Sequence, residues 1–146
     1  MAVKIRLAVP GDVPGLFDVR TSVTENAMNQ EEMQALGITP AAITSMIQTS
    51  DCAWVAVNNE QIVGFSMIIP EDNCLFAAFV LPQFEALGLG KQLVHIAEQA
   101  LFKHSATIWL ETGKNTRAAG FYRHLGWGNE QDAGDGDIRL EKRRQD

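Results

Sequence analysis

An apolar run over residues 76–81 stops at Pro82, two glycines one residue apart follow at Gly88 and Gly90, and an amphipathic pattern then extends to residue 103. Leu93, Ile96, Ala97 and Ala100 fall on one face of that predicted helix. A further strand-like run covers 106–112. Strand, glycine turn, helix, strand is a crossover unit, and such units are right-handed and make their two strands parallel. The turn itself gathers several backbone N–H groups and the positive end of a helix at one point, an arrangement suited to a phosphate or pyrophosphate. Lys91 adds positive charge there, and Glu85 sets a carboxylate within the turn.

Three of the strands should form an antiparallel meander. Residues 52–57 and 61–69 are apolar runs joined by Asn58-Asn59-Glu60, a hairpin signature, and Pro70-Glu71-Asp72-Asn73 turns the chain into the strand over 74–81. Upstream, residues 3–9 alternate as a half-buried strand, and Asp12 is placed to cap a helix carrying Val13, Leu16, Phe17, Val19 and Arg20. Thr39-Pro40 starts a second helix with Ile43, Met46 and Ile47. The polar stretch between them, residues 21–38, reads as an extended or partly helical connection holding Glu25, Asn26, Glu31 and Glu32. Downstream, Asn115 is placed to cap a helix over 116–125, Gly126 ends it, and residues 127–130 and 138–142 form a closing hairpin around the turn-rich 131–137.

The predicted order is β-α-α-β-β-β-α-β-α-β-β, an α/β (more strictly α+β) fold with a mixed sheet and helices on both faces. A chain of 146 residues with no repeat or linker is one domain, spanning 1–146. With 46% hydrophobic and 21% charged residues it has the composition of a packed globule. A formal charge of −6 argues against a nucleic-acid partner, and the basic residues Arg139, Lys142, Arg143 and Arg144 read as a solvated end. Cys52 and Cys74 lie in apolar runs and read as buried small hydrophobes, not as a disulfide or a metal site. No stretch has the length of a membrane span or the pattern of a signal peptide, so the expectation is a cytoplasmic protein without membrane association. His95 and His124, on predicted helices, read as surface or packing residues.

A second block completes the motif. Asn115, Ala118 and Tyr122 are spaced by three and then four residues, which is one helix face, and Phe121, Gly126 and Trp127 follow in the same block. Val80-x-Pro82 with Gly88-x-Gly90, followed by Asn115-x-x-Ala118-x-x-Phe121-Tyr122 and Gly126-Trp127, resembles the GNAT superfamily of N-acetyltransferases. Ile5-Arg6-x-Ala8 with Asp12 is similar to the family's opening strand and helix start.

The resemblance implies a mostly antiparallel sheet with a V-shaped splay between the fourth and fifth strands. It implies acetyl-CoA as co-substrate and no metal, with the pyrophosphate wrapped by the backbone of Glu85, Ala86, Leu87, Gly88, Leu89 and Gly90, beside Lys91. Glu85 departs from the family's usual Gln or Arg. The segment Phe79, Val80, Leu81 matches the strand that pairs with the pantetheine arm, commonly beside a bulge, where a backbone N–H polarises the thioester carbonyl. Asn115 and Ala118 match cofactor contacts, and Tyr122 matches the frequent general acid that protonates the leaving thiolate.

For the general base the candidates are Glu111 and then Glu25. Glu25 and Asn26 fall where the family builds its acceptor site, and Glu25, Glu31 and Glu32 suggest a cationic small-molecule or peptide amine steered by charge. The activity implied is transfer of acetyl to a primary amine by direct attack in a ternary complex. A non-catalytic acyl-CoA-binding or partner-binding module on the same fold is the alternative. Many relatives form homodimers, and Trp127 with the closing hairpin fits either such a contact or the core.

Overall fold

The structure, a computed structural model, describes residues 3–24 and 26–145. Its elements are β1 (Val3–Leu7), α1 (Val13–Ser22), α2 (Gln30–Ala35), α3 (Pro40–Thr49), β2 (Ala53–Asn58), β3 (Gln61–Ile69), β4 (Cys74–Val80), α4 (Leu89–Phe102), β5 (Thr107–Gly113), α5 (Arg117–His124), β6 (Gly128–Gly134) and β7 (Asp137–Arg143). Short 3-10 turns at Pro10–Asp12, Pro70–Asp72 and Pro82–Leu87 each begin with a proline, whose fixed φ favours a tight helical start. The strands form one seven-stranded sheet in the order β1-β2-β3-β4-β5-β7-β6. All neighbours are antiparallel except β4 and β5.

That one parallel contact opens almost as soon as it forms. Cys74 registers with Trp109, Trp109 N donates to Asn73 O at 3.1 Å, and no further pair of β4 and β5 is in register. The cause lies on the other edge of β4. Met67 pairs with Ala77 but Ile68 pairs with Leu75, so Phe76 is an extra residue, a β-bulge that bends the strand away from β5. The V-shaped splay between the fourth and fifth strands is present, with its bulge three residues before Phe79.

Helices cover both faces. Gly15 of α1 lies against Ile62, where an added Cβ would come within 2.7 Å of that side chain. On the opposite face Gly64 lets Leu93 of α4 approach the sheet. Val19, Val55, Val63, Leu93, Val94, Ala97, Ile108 and Leu140 have no solvent exposure and belong to one continuous core. Truncating one of these leucines to alanine would cost about 2–5 kcal/mol.

Several local expectations change. Asp12 precedes α1 but its carboxylate does not cap it. It accepts from both Arg6 guanidinium nitrogens, at 2.7 and 3.0 Å, and from Val9 N at 2.8 Å, tying β1 to the start of α1. The connection after α1 contains α2, held by a reciprocal cap in which Asn29 and Glu32 each bond the other's backbone N–H. Thr116, not Asn115, caps α5, its Oγ1 accepting from Ala119 N at 3.2 Å. The closing hairpin is longer than expected, because only Asp135 and Gly136, both with positive φ, separate β6 from β7.

Arg143 is exposed as a solvated end would be, but the other three C-terminal basic residues are tied to the fold. Arg139 stacks on Trp109 with 4.3 Å to the ring centroid, Lys142 pairs with the buried Glu98 at 2.9 Å, and Arg144 donates to Phe102 O at 2.6 Å. Cys52 and Cys74 are buried free thiols, and burial pushes the Cys74 thiol up to about 12. Trp127 is a core residue whose Nε1 donates to Glu98 at 2.9 Å. Among the described residues no helix is long and apolar enough to cross a membrane.

Candidate functional site

The splay between β4 and β5 opens a cavity of about 590 Å³. One edge is β4 from Cys74 to Phe79. The other is β5 from Trp109 to Gly113, continued by Ala118 and Tyr122 of α5. Its floor and outer wall come from α1, α2 and β3, including Phe17, Arg20, Met33, Phe65 and Met67.

The backbone along β4 decides what the cavity offers. Leu81 N donates to Val63 O at 2.8 Å, and pairs in an antiparallel ladder alternate between bonded and non-bonded. With Phe79 opposite Phe65 and Val80 opposite Gly64, the peptide groups of Phe79 and Leu81 turn toward β3. Those of Ala78 and Val80 turn toward the open side. Leu81 is spent twice, since its carbonyl also accepts from Phe84 N at 2.9 Å. The free backbone edge is therefore made by Ala78 and Val80, while Phe79 presents its ring to the cavity.

Beyond β4 the chain makes the 3-10 turn Pro82–Leu87, passes through Gly88 at φ 75°, and enters α4. Gly88 needs to be glycine because that left-handed conformation strains any residue with a Cβ. Gly90 is different. A Cβ there would meet Phe121 Cζ at 3.7 Å and Val80 Cγ2 at 4.0 Å, ordinary contacts, so nothing in the protein requires the missing side chain. Together, Glu85, Ala86, Leu87, Gly88, Leu89, Gly90 and Lys91 lie on this turn and the first turn of α4, Lys91 exposed and Leu89 buried. The Glu85 carboxylate accepts from Arg117 Nη1 at 3.3 Å, an exposed pair that joins the turn to the start of α5.

Tyr122 is only 7% exposed and lines the cavity. Its ring stands edge-on to Phe121, with centroids 5.4 Å apart, and to Trp127, at 5.9 Å. Behind it Glu98, on the buried face of α4, is held between Trp127 Nε1 and Lys142 Nζ. Burial first, and then the Glu98 charge, push the phenol well above its ordinary value of 10.0. Sequence reasoning missed Glu98. Its place beside Ala97, on the apolar stripe of α4, was the available signal.

Of the other predicted residues, Ala118 lines the cavity, whereas Asn115 is exposed in the loop before α5 and does not. Glu111 is an exposed wall residue of β5, opposite Arg139 in register. Asn26 reaches the far end of the cavity, where a Cβ on Gly113 would lie 2.9 Å from its Oδ1. Glu25 lies outside the described residues. Glu31 is exposed and Glu32 serves as the α2 cap, so neither lines the cavity. His95 and His124 are exposed. Among the described residues no group of three His, Cys, Asp or Glu side chains could hold a metal.

Comparison with known proteins decides the family, because the profile of the acetyltransferase (GNAT) family matches residues 18–127, from within α1 to the end of the α5 block. The chain belongs to the GNAT acetyltransferase family. Solved GNAT structures share its fold across essentially the full length. PaiA N-acetyltransferase from Thermoplasma acidophilum, in complex with coenzyme A, superposes with a TM-score of 0.77 at 19% identity, covering 99% of this chain and 100% of that one. Ard1 from Thermoplasma volcanium gives 0.80 at 14% identity, covering 100% of each chain. The ribosomal-protein-S18-alanine N-acetyltransferase of Escherichia coli gives 0.71 at 19%, covering 97% of this chain and 94% of that one. At these identities the likeness establishes the fold, a GNAT fold with its splayed strand pair. Among curated proteins none matches the chain.

Proposed function

We propose that this GNAT domain transfers the acetyl group of acetyl-CoA to a primary amine, both held together in the slot between β4 and β5. The observation that carries the reading is the splay itself: it leaves the backbone of Ala78 and Val80 unpaired on the β4 edge, and β4 leads along the chain through a tight turn to the glycine-led start of α4. The residues fit an acyl-CoA. Gly90 lacks a side chain that the protein has room for, which leaves the helix start open to close approach by a pyrophosphate, and the N–H groups there face it with the helix dipole behind them.

Acetyl-CoA, when bound, supplies an acetyl group on a thioester, so that an N–C bond to the acceptor replaces the C–S bond and a free thiol leaves. The chain's own residues manage charge and protons. Val80 or Ala78 N–H donates to the carbonyl oxygen as negative charge develops on it. Glu111 removes one proton from the acceptor ammonium through water, leaving the neutral amine that attack requires. Tyr122, which lines the slot, would protonate the leaving sulfur. Because its proton is held more tightly than in a free tyrosine, and a thiol near pKa 8.5 is the weaker base, Oη delivers it only as the attacking amine's second proton arrives. The phenol then ends the reaction as it began. Phe121, Trp127 and the Glu98–Lys142 pair hold the ring for this task.

Two measurements test the reading. Acetyl-CoA at about 100 times its Kd should stabilise the protein by about 2.7 kcal/mol, and no shift at millimolar concentration would sink it. Thiol release across a panel of amines then asks for turnover. A non-catalytic acyl-CoA-binding module is the second reading, favoured by Glu85 in the turn. A cofactor shift with no thiol release on any amine would support it.

A further inference from the structure

The side of the slot built by α1, α2 and their connections does not have the chemistry of a cationic-amine steering surface. The cavity wall from α1, α2 and the connection to α3 is apolar, with Phe17, Met28, Met33, Leu36 and Ile38, and in its midst stands Arg20. Its guanidinium carbon lies 4.3 Å from the centroid of the Phe79 ring, on the strand whose backbone faces the slot. One Nη1 hydrogen bond goes to Asn26 O at 2.9 Å. A guanidinium carries five N–H donors, and among the described residues no carboxylate lies within ion-pair distance of this one. Glu32 acts on it only as a more distant charge. Arg20 is half-buried, and burial pulls its pKa below the ordinary value, with the Glu32 charge opposing that shift.

The remaining N–H donors of Arg20 are open to an anion entering the cavity. The fork suits a carboxylate bidentately, and stacking on Phe79 fixes its plane. The same cavity is also lined by the carboxylates Asp72, Glu111 and Asp137. One cavity thus offers a guanidinium for a carboxylate, carboxylates for an ammonium, and apolar surface beside them.

We propose that the acceptor is a small amine that also bears a carboxylate and an apolar body, an apolar α-amino acid in chemical class, and that Arg20 binds its carboxylate while the amine faces Glu111. The assignment rests on the acetyltransferase reading above and narrows its substrate.

The test uses ratios. In the wild type, thiol release with leucine should exceed that with isoamylamine, which lacks only the carboxylate, by about 10–100-fold in kcat/KM, the value of a charge-assisted bidentate pair at 1.4 kcal/mol per decade. R20M should collapse that ratio through KM, and R20K should retain part of it. Comparing ratios between variants cancels the different basicities of the two amines. Were Arg20 only a clamp on Asn26 O, both acceptors would slow by the same factor and the ratio would stand, which overturns the proposal. So would equal use of both amines by the wild type. Calorimetric binding of leucine to the wild type and to R20K, with acetyl-CoA binding measured alongside, decides the matter even without turnover. Leucine binding weakened in R20K supports the assignment, unchanged binding refutes it, and absent acetyl-CoA binding instead removes the acetyltransferase reading.

Discussion

The two banks of the slot are built in opposite ways. The turn bank is contiguous: Ala78, Val80, Gly88, Gly90 and Lys91 lie within fourteen residues, and what they offer is backbone N–H, conformational freedom and a helix end. The acceptor bank is assembled from distant pieces. Arg20 comes from α1, Met33 from α2, Phe79 from β4, and Glu111 from β5, and what they offer is side chains. A backbone site survives much substitution so long as the spacing holds, whereas a side-chain site changes its ligand with each residue. That contrast can be tested bank by bank.

The largest effect should come from the residue between the banks. Tyr122→Phe removes the proton carrier and leaves the aromatic packing with Phe121 and Trp127, so kcat should fall by about 10²-fold or more, about 2.7 kcal/mol, with acetyl-CoA affinity little changed. The pH profile adds a check. The folded phenol titrates above 10.0, so it stays protonated where a free tyrosine would ionise, and phenol ionisation should not cut activity near pH 10. By linkage, the stability from burying the neutral phenol is fully present below 10.0 and declines as pH rises toward the folded value. Rates insensitive to Tyr122→Phe would remove it from the chemistry.

Next in size is the footing of the acceptor bank. Asp12, held by Arg6 and Val9 N, anchors the end of α1 opposite to Arg20. The Arg6 hydrogen bonds pull its carboxyl below the ordinary 3.8, so the stabilisation is complete above 3.8 and is lost as pH falls through the lower, folded value. Asp12→Asn should cost about 2 kcal/mol at neutral pH, since Arg6 is half exposed and the pair is worth less than a buried one. It should also flatten the acid limb of a denaturation series. An unchanged acid limb would mean that other carboxylates set it.

The two banks also differ in how far they were legible. The strand–glycine–helix unit and its meander could be read because apolar period, proline stops and glycine spacing are local signals. The helix α2 was legible too, in Asn29-x-x-Glu32, but a six-residue element in a polar stretch gives little period to confirm it. Asp12 and Asn115 have cap chemistry in the right places. Which hydroxyl or carboxylate takes the cap is decided by neighbours, Arg6 in one case and Thr116 in the other. Arg20 and Glu98 were illegible as functional groups, because their meaning comes from Phe79, Trp127 and Lys142, which fold back from far along the chain.

A smaller effect separates the two glycines of the turn. Gly88→Ala must hold a Cβ at φ 75°, costing about 1 kcal/mol or more of stability. Gly90→Ala meets only ordinary contacts in the first turn of α4, so it should raise stability by up to about 1 kcal/mol while weakening acetyl-CoA about tenfold. Melting temperature and cofactor Kd moving in opposite directions for Gly90→Ala is the signature of backbone kept bare for a ligand. If Kd holds while stability rises, the pyrophosphate does not approach there.

The smallest effect concerns Glu85, the residue out of character with its turn. Its carboxylate is exposed and shares its charge with Arg117 at 3.3 Å, so the repulsion it offers a pyrophosphate is already blunted. Glu85→Gln removes both the repulsion and an exposed ion pair, each worth no more than about 1 kcal/mol, and the first should prevail because the ligand carries more charge than the side chain. Acetyl-CoA should therefore bind a few-fold tighter to Glu85→Gln at low salt. The gain should shrink as added salt screens both terms. Weaker binding instead would mean that the Glu85–Arg117 pair holds the turn in its binding shape, so that this bank too depends on a side chain.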